Sequence, residues 1–309
     1  MRGSLVAEFE NSFSWSKTRD DLFQQCKRKY YYNHYGFWGG WTLDVDKRIR
    51  EMYILKNLKT RQMWLGDVVH GAVEEILNGL RVKPEVALNI TLNNLRRRMA
   101  EDLESSRKGL YRMRPKWECG LFEHEYKFEI PDSEWNKILK NAQVMVTNFV
   151  GSDLFHYLKS TDVNDWLPIE EMQSFRFEGI PIFLKIDFAL RKGEKLIIYD
   201  WKTGKMDEIG EDIQLGCYSL YASEKWGANP NNIVIKKYSL STNEELKAKM
   251  DDKKIGKVKE YIRNSIRCMK ESLYDKENNK AREEDLSLIH ISEPTRPLYI
   301  SYAVFCLKK

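Results

Sequence analysis

Residues 179–205 read GIPIFLKIDFALRKGEKLIIYDWKTGK. Two apolar runs flank Lys192, Gly193 and Glu194, and Gly193 can supply the positive φ that a tight hairpin turn needs. With Gly193-Glu194 as a two-residue loop, Leu190 opposes Ile197 and Asp187 opposes Asp200. Directly opposed residues have Cβ atoms about 4.5–5.5 Å apart. Asp200 and Lys202 are two apart on one strand and so project from one face. The hairpin therefore gathers two carboxylates and an ammonium on an apolar frame. Adjacent carboxylates raise one another's pKa unless a cation offsets them. Hard oxygen ligands suit Mg²⁺ or Mn²⁺. Lys202 adds a compact positive charge able to hold an attacking water or a phosphate oxygen. Taken alone, Asp-x-Lys is also the pattern of a common, weak strand-end ion pair.

Outward from the hairpin, segments 168–177, 180–190 and 195–202 are rich in β-formers and separated by turn residues. A helix is expected over 208–226, a strand over Ile233–Ser239 and a long charged helix over Asn243–Tyr274. Upstream, Ser14 or Ser16 can cap a helix running toward Tyr30. An aromatic cluster follows, from Tyr30 to Trp41. Apolar residues at helical spacing cover about Arg61 to Leu80. Further helices are expected over Val86–Ser105, carrying Arg96, Arg97 and Arg98, and over 134–158. The pattern is α/β: a mixed central sheet flanked by helices, with a helical N-terminal elaboration. No internal repeat or Pro/Gly/Ser-rich linker is visible, so residues 1–285 read as one domain.

The chain has 309 residues, with 42% hydrophobic and 31% charged content, the profile of a globular protein rather than a disordered or collagen-like one. Its net charge of +5 permits a nucleic-acid partner without demanding one. No apolar run is long enough to span a bilayer, and the N-terminus lacks the apolar core of a signal peptide. Five scattered Cys do not form a secreted disulfide framework. These features point to the cytoplasm and away from a membrane.

Four motifs occur in order along the chain. They are Gly66-Asp67-Val68-Val69-His70 on a helix, Asp187, Asp200-Trp201-Lys202 on the next strand, and Gln214-Leu215-Gly216-Cys217-Tyr218 on the following helix. This order resembles the RecB-like branch of the PD-(D/E)XK nuclease superfamily, the branch of AddB-type and CRISPR-associated exonucleases. The N-terminal Phe13-Ser14-Trp15-Ser16 followed by Cys26, Arg28, Lys29 and Tyr30–Tyr32 is similar to the same branch. The resemblance runs from about Phe13 to Tyr221. The spacing from Gly179 to Asp187 is longer than the short G-x-I-D form.

The resemblance implies a restriction-endonuclease-like core and a metal-dependent phosphodiesterase acting on DNA. His70 would join Asp187 and Asp200 as a metal ligand, with the backbone carbonyl of Trp201 nearby. An imidazole ligand tilts preference toward Mn²⁺ over Mg²⁺. Lys202 would serve the attacking water or the developing charge, while Gln214 and Tyr218 would steady the site or the DNA strand. The family's first-strand Glu would be Glu170 or Glu171. Glu74, one turn beyond His70, reads either as its support or as a solvated carboxylate. Cys26 sits where some relatives place the first of four cysteines binding a 4Fe–4S cluster; Cys119, Cys217 and Cys268 lack the clustered spacing of such a site. Arg28, Lys29 and Tyr30, basic residues beside aromatics, could track a DNA strand or form a helix end whose tyrosines pack on the core. Arg96–Arg98 could bind phosphates or face solvent.

Residues 286–309, LSLIHISEPTRPLYISYAVFCLKK, differ abruptly in texture and resemble a translated sequencing-library adapter with Pro297, Leu298 and Tyr299 as its index. The expectation is that this tail is an artefact and that the domain is cut near Asp285. The function expected is DNA hydrolysis, as an exonuclease in repair, recombination or defence, with a helicase or other repair protein as partner. The alternatives are a silent nuclease-like scaffold that grips DNA or a helicase, and a CRISPR adaptation nuclease.

Overall fold

The computed structural model describes residues 10–83, 85, 87–167, 169–204, 206 and 213–286. The tail beyond residue 286, the first residues of the helix expected from 208, Pro168 and Lys205 lie outside the described residues. The chain forms two compact units. Among the described residues, unit one holds those up to Lys56, Arg176–Phe183 and 260–286; unit two holds those within Asn57–Phe175 and Leu184–Lys259.

Unit one begins with α1 (Lys17–Gln25), capped by Ser16, whose side chain accepts from the Arg19 N–H. The helix expected to continue to Tyr30 breaks at Cys26, which has extended backbone and caps α2 (Lys27–Tyr31). A π-turn over Tyr32–Gly36 and α3 (Lys47–Lys56) follow. Trp15, Arg19, Tyr30 and Tyr35 are buried. The Arg19 guanidinium donates to Ser14 Oγ at 3.0 Å, Tyr30 OH at 3.3 Å and Tyr35 OH at 3.2 Å. Burying an arginine is tolerable only when its donors find partners, and here three hydroxyls supply them. The Trp15 indole N–H donates to Ser265 Oγ at 2.9 Å, and that hydroxyl donates to Asp20 Oδ1 at 2.6 Å. Trp15, Arg19, Tyr30 and Tyr35 of the N-terminal pattern thus belong to a buried polar network.

His34 stacks beside Tyr30, with ring centroids 5.0 Å apart, and its Nε2 is buried without a partner. Burial, reinforced by Arg19 and Lys56, pulls its pKa down to about 3. The folded state therefore refuses a proton that the unfolded state accepts below about 6.5. Stability is whole above that value and is lost as pH falls toward 3. Unfolding in urea at pH 7.5 and pH 5.0 is expected to show a loss about 1–2 kcal/mol smaller in His34→Phe than in the parent chain. Equal losses in the two chains would remove His34 as the cause.

Unit two contains α4 (Arg61–Leu80), capped by Thr60 accepting from the Met63 N–H. Its buried face runs Trp64, Val68, Val69, Ala72, Val73, Ile76, Leu77 and Leu80, the repeat of an amphipathic helix. It packs with α5 (Leu88–Arg107), α7 (Asp132–Val150) and α8 (Asp153–Lys159); a short α6 spans Phe122–Glu125. The single helix expected over 134–158 is two, because the chain turns at Gly151 and Ser152 caps α8 by accepting from the Phe155 N–H.

The strands are β1 (Met172–Phe177), β2 (Ile180–Lys185), β3 (Phe188–Lys192), β4 (Lys195–Lys202), β5 (Ile233–Ser239) and β6 (Glu245–Ala248). β1 and β2 form a two-stranded sheet; the other four form a sheet in the order β3-β4-β5-β6. β3–β4 is antiparallel with Leu190 opposite Ile197 and Lys192 opposite Lys195, the register set by the Gly193-Glu194 turn, where Gly193 has φ 59°. β4–β5 is parallel. A parallel pair requires a crossover, supplied by α9 (Ile213–Trp226). The sheet is mixed, with helices against it, as expected.

Two further expectations fail. The β-rich segment 180–190 is not one strand: it breaks at Ile186-Asp187 and enters a second sheet. The helix expected from Asn243 begins only at α10 (Asp252–Glu271). Before it, Asn243 at φ 59° turns the chain into β6, which pairs antiparallel with β5. Pairing to a sheet edge overrides the helix propensity of Glu244–Lys249. Gly216 on α9 faces Val258, and a Cβ there would collide with the valine side chain. Gly216→Ala is expected to cost about 1–3 kcal/mol by overpacking, read as a lower urea midpoint with unchanged slope.

Candidate active site

The break at Ile186-Asp187 creates the site. Trp166 and Leu167 run beside β3: Trp166 bridges Leu190, and the Leu167 N–H donates to the Ala189 carbonyl at 2.9 Å. Glu170 takes φ 53°, and its N–H reaches the carbonyls of Ile186 at 3.1 Å and Asp187 at 3.3 Å. The left-handed turn throws the Glu170 side chain inward, where it is buried. It meets His70, which lies beside the apolar face of α4: His70 Nδ1 is 3.0 Å from Glu170 Oε1 and 3.5 Å from Asp187 Oδ1. The three side chains each offer a ligand atom within 4.8 Å of one another. The other oxygen of Asp187 is fixed by the Trp201 backbone N–H at 2.7 Å.

Asp200 follows Tyr199, the partner of Phe188 across the hairpin, and is buried. Its Oδ2 pairs with Lys202 Nζ at 2.6 Å. Its Oδ1 accepts from Tyr218 OH at 3.2 Å and Gln214 Nε2 at 3.4 Å. Gln214 also donates to Tyr218 OH at 2.6 Å, and Tyr218 OH reaches the Lys185 carbonyl at 3.1 Å. One face of α9 thus locks Asp200 to the end of β2.

The electrostatics follow from crowding carboxylates in a buried place. Burial pushes Asp187 up to about 6, with Asp200 and Glu170 adding to the rise and His70 opposing it. Burial alone would lower His70, but its contacts with Asp187 and Glu170 override that and hold it up at about 10. Glu170 is kept below the usual range, since His70 and Lys185 outweigh its desolvation. Burial and the neighbouring carboxylates drive Tyr218 well above the usual phenol value. In the metal-free protein a proton on His70 therefore supplies the positive charge that these carboxylates demand. One imidazole nitrogen and two carboxylates that recruit a cation are a donor set suited to Mn²⁺ or Mg²⁺.

The structure thus gathers His70, Asp187, Asp200, Lys202, Gln214 and Tyr218 around the Trp201 backbone, whose N–H holds Asp187. The Trp201 ring points away, packed on Phe149, Phe188 and Tyr199. Of the two candidate glutamates, Glu170 is in the cluster, while Glu171 is exposed and accepts from Gln173. Lys185 was not singled out from the sequence. It forms an ion pair with Glu170, and its place two residues before Asp187, in a Lys-x-Asp that mirrors Asp200-x-Lys202, was the available signal. Glu74 lies near enough to feel both Glu170 and Lys185.

Cys26, Arg28, Lys29 and Tyr30 belong to unit one. Tyr30 is fully buried and so presents no face to a nucleic-acid base, as in the alternative of a helix end whose tyrosines pack on the core. Arg28 pairs with Glu283 at 2.7 Å and donates to Tyr32 OH. Lys29 is half-buried. Cys26 is exposed, with its sulfur accepting from the Lys29 N–H at 3.4 Å. Arg97 and Arg98 face Glu101 and Glu75.

No curated protein matches this chain. A solved structure, described as the crystal structure of SSO0001, shares 15% identity with a TM-score of 0.27, over 55% of this chain and 74% of that one; a likeness at that level carries nothing about fold or function. The family described as the PD-(D/E)XK nuclease superfamily matches residues 14–285. That span takes in both units and every residue of the cluster, and the chain belongs to this superfamily.

Proposed function

We propose that this chain is a metal-dependent deoxyribonuclease of the RecB-like branch, acting as an exonuclease in repair, recombination or defence. The observation that carries the reading is the buried convergence of His70, Glu170 and Asp187 beside the Asp200–Lys202 pair. A silent scaffold has no need to keep a buried cluster of acids with two lysines set against it, because such clusters cost stability when nothing neutralises them.

A bound Mg²⁺ or Mn²⁺, held by His70, Glu170, Asp187 and Asp200, would polarise the phosphate and acidify a water. The remaining work falls to the protein. Lys202 sets a charge against the phosphate oxygens or the attacking water. Tyr218 and Gln214 hold Asp200 in one orientation, and the Trp201 N–H does the same for Asp187. Glu170 orients His70 through its Nδ1. Residues 14–285 fall within one family match, which supports reading both units as a single nuclease domain. The 4Fe–4S cluster and a helicase partner belong to the same proposal: Cys26 is exposed and so available as a ligand. Among the described residues no helix is long and apolar enough to cross a membrane.

The test is cleavage of linear single- and double-stranded DNA with Mn²⁺, with Mg²⁺ and with a chelator, run beside Asp200→Ala. Metal-dependent cleavage absent from the variant supports the proposal. A folded chain that binds DNA and never cuts it would sink the enzyme reading in favour of the scaffold.

A further inference from the structure

Unit two exposes one apolar and basic segment that the site does not use. Residues 107–118 read RKGLYRMRPKWE, five basic residues to one acidic. Within it Trp117 is 83% exposed, Met113 77% and Leu110 43%. An indole left open to water is unusual in a folded domain, where large aromatics are mostly covered. The ring is not on a loose loop. A local turn fixes its backbone: the Arg114 N–H donates to Leu110, and the Trp117 and Glu118 N–H groups both donate to the Arg114 carbonyl, the latter two at 3.0 Å. Tyr111 anchors the same turn from inside, buried and hydrogen-bonded to Glu125. Arg107, Lys108, Arg112 and Arg114 are each held by a carboxylate, Asp132, Glu104, Glu125 and Glu118, while Lys116 beside the indole is exposed. The arrangement is a rigid platform: apolar side chains at three and four residue intervals, with basic residues between them.

The platform is tied to the site. Just beyond it, Leu121 forms a parallel bridge with Lys59, through Lys59 N–H to Gly120 at 2.9 Å and Phe122 N–H to Lys59 at 2.8 Å. Lys59 leads directly into α4 and pairs with Asp67 at 2.6 Å. Asp67 is one turn before His70 on that helix. The segment therefore borders the N-terminal end of α4, about 15 Å of helix from the His70 position.

We propose that Trp117, flanked by Met113 and Lys116, is a base-stacking platform that receives single-stranded DNA leading to the His70 cluster. A flat exposed π-face with Lys116 beside it fits unpaired bases on a phosphate chain: every base can stack on an indole, and the ammonium can meet a neighbouring phosphate. A paired duplex hides its base faces and offers Trp117 only phosphates. A protein partner or an anionic membrane would use the same side chains for different contacts, and these are outcomes of the test. The inference rests on the nuclease reading for its substrate, but it is tested by binding, without cleavage.

The experiment uses the full chain carrying Asp200→Ala, in chelator, with a fluorescent oligothymidylate and a blunt duplex of equal length. Binding to the single strand is expected to weaken by about 5-fold or more in Trp117→Ala, and duplex binding to change little. Lys116→Ala is expected to lower the slope of log affinity against log salt by about 0.7 on the single strand. Val82→Ala, at another exposed apolar position, serves as the surface control and should bind as the parent does. Oligothymidylate should also shield tryptophan fluorescence from iodide in the parent and not in Trp117→Phe, a readout that needs no loss of fold. Equal single-strand affinity in parent and Trp117→Ala overturns the platform, even if the chain cuts DNA. Equal weakening on duplex and single strand overturns the stacking argument. Binding only to anionic vesicles, unaffected by DNA, overturns the choice of partner. If the platform behaves as expected and the parent chain shows no cleavage, the nuclease reading fails while the strand-binding inference stands.

Discussion

Asp200→Ala is expected to reduce metal-dependent DNA cleavage by at least about 10²–10³-fold, the scale of losing one preorganised charge contact in a site built to stabilise a transition state. The fold should survive the change. Asp200 is buried, but each of its partners has somewhere else to go. Lys202 keeps 29% of its side chain in solvent, and Tyr218 OH still reaches the Lys185 carbonyl. The substitution also removes one of the charges that help push Asp187 up to about 6. The metal-free variant is therefore expected to melt at the same temperature as the parent or slightly above it. Added Mn²⁺ should raise the melting temperature of the parent by mass action on the folded state, and the variant should gain less. This pairing separates a catalytic loss from an unfolded chain: low activity with an intact far-ultraviolet circular dichroism spectrum and a blunted response to Mn²⁺ is the expected set. Full cleavage by Asp200→Ala would show that the Asp-x-Lys pair is an ordinary strand-end ion pair.

Much of this site could be read from residue spacing because the hairpin is local. Gly193 permits one tight turn, the turn fixes the register, and the register brings Asp187 beside Asp200 without reference to the rest of the chain. Gln214 and Tyr218 are equally local, four apart on one helix face. His70 could be placed on α4 for the same reason. What spacing could not give is non-local or depends on unusual backbone. Nothing in the residues themselves says that 180–190 breaks at Ile186; the break exists because the Glu170 N–H claims the carbonyls there. Nor could charge and periodicity separate Glu244–Lys249 from a helix, since those residues suit one and pair with β5 only in the fold. The N-terminal aromatics left two readings open. Basic residues beside tyrosines suit a nucleic-acid strand, yet the Arg19 network turns Trp15, Tyr30 and Tyr35 inward. Among the described residues the most exposed aromatic is Trp117, in a stretch whose pattern carries no motif.

Glu170→Gln and Glu171→Gln form the sharpest paired test of the geometry, because the two residues are adjacent and chemically identical. Glu170 is buried, lies 3.0 Å from His70 and is paired with Lys185. Glu171 is exposed. Glu170→Gln keeps the shape and can still hydrogen-bond, but it removes a charge from the cluster that has to neutralise a divalent cation. It also leaves Lys185 facing an amide and frees the His70 ring to turn. Loss of an outer partner that orients a ligand costs about 10–100-fold; a direct ligand costs more. Cleavage by Glu170→Gln is accordingly expected to fall by at least about 10-fold, and Glu171→Gln to match the parent. The same substitution should leave its mark without any DNA present. In the metal-free chain the His70 imidazole is held up at about 10 by Asp187 and Glu170 together. Removing one of those carboxylates lowers the pH at which the ring loses its proton, a shift visible in the histidine signals of a nuclear magnetic resonance titration. A loss of cleavage on both substitutions alike would mean that the pair contributes only general negative charge. A loss confined to Glu171→Gln would overturn the placement of Glu170 and, with it, the left-handed turn that brings it to His70.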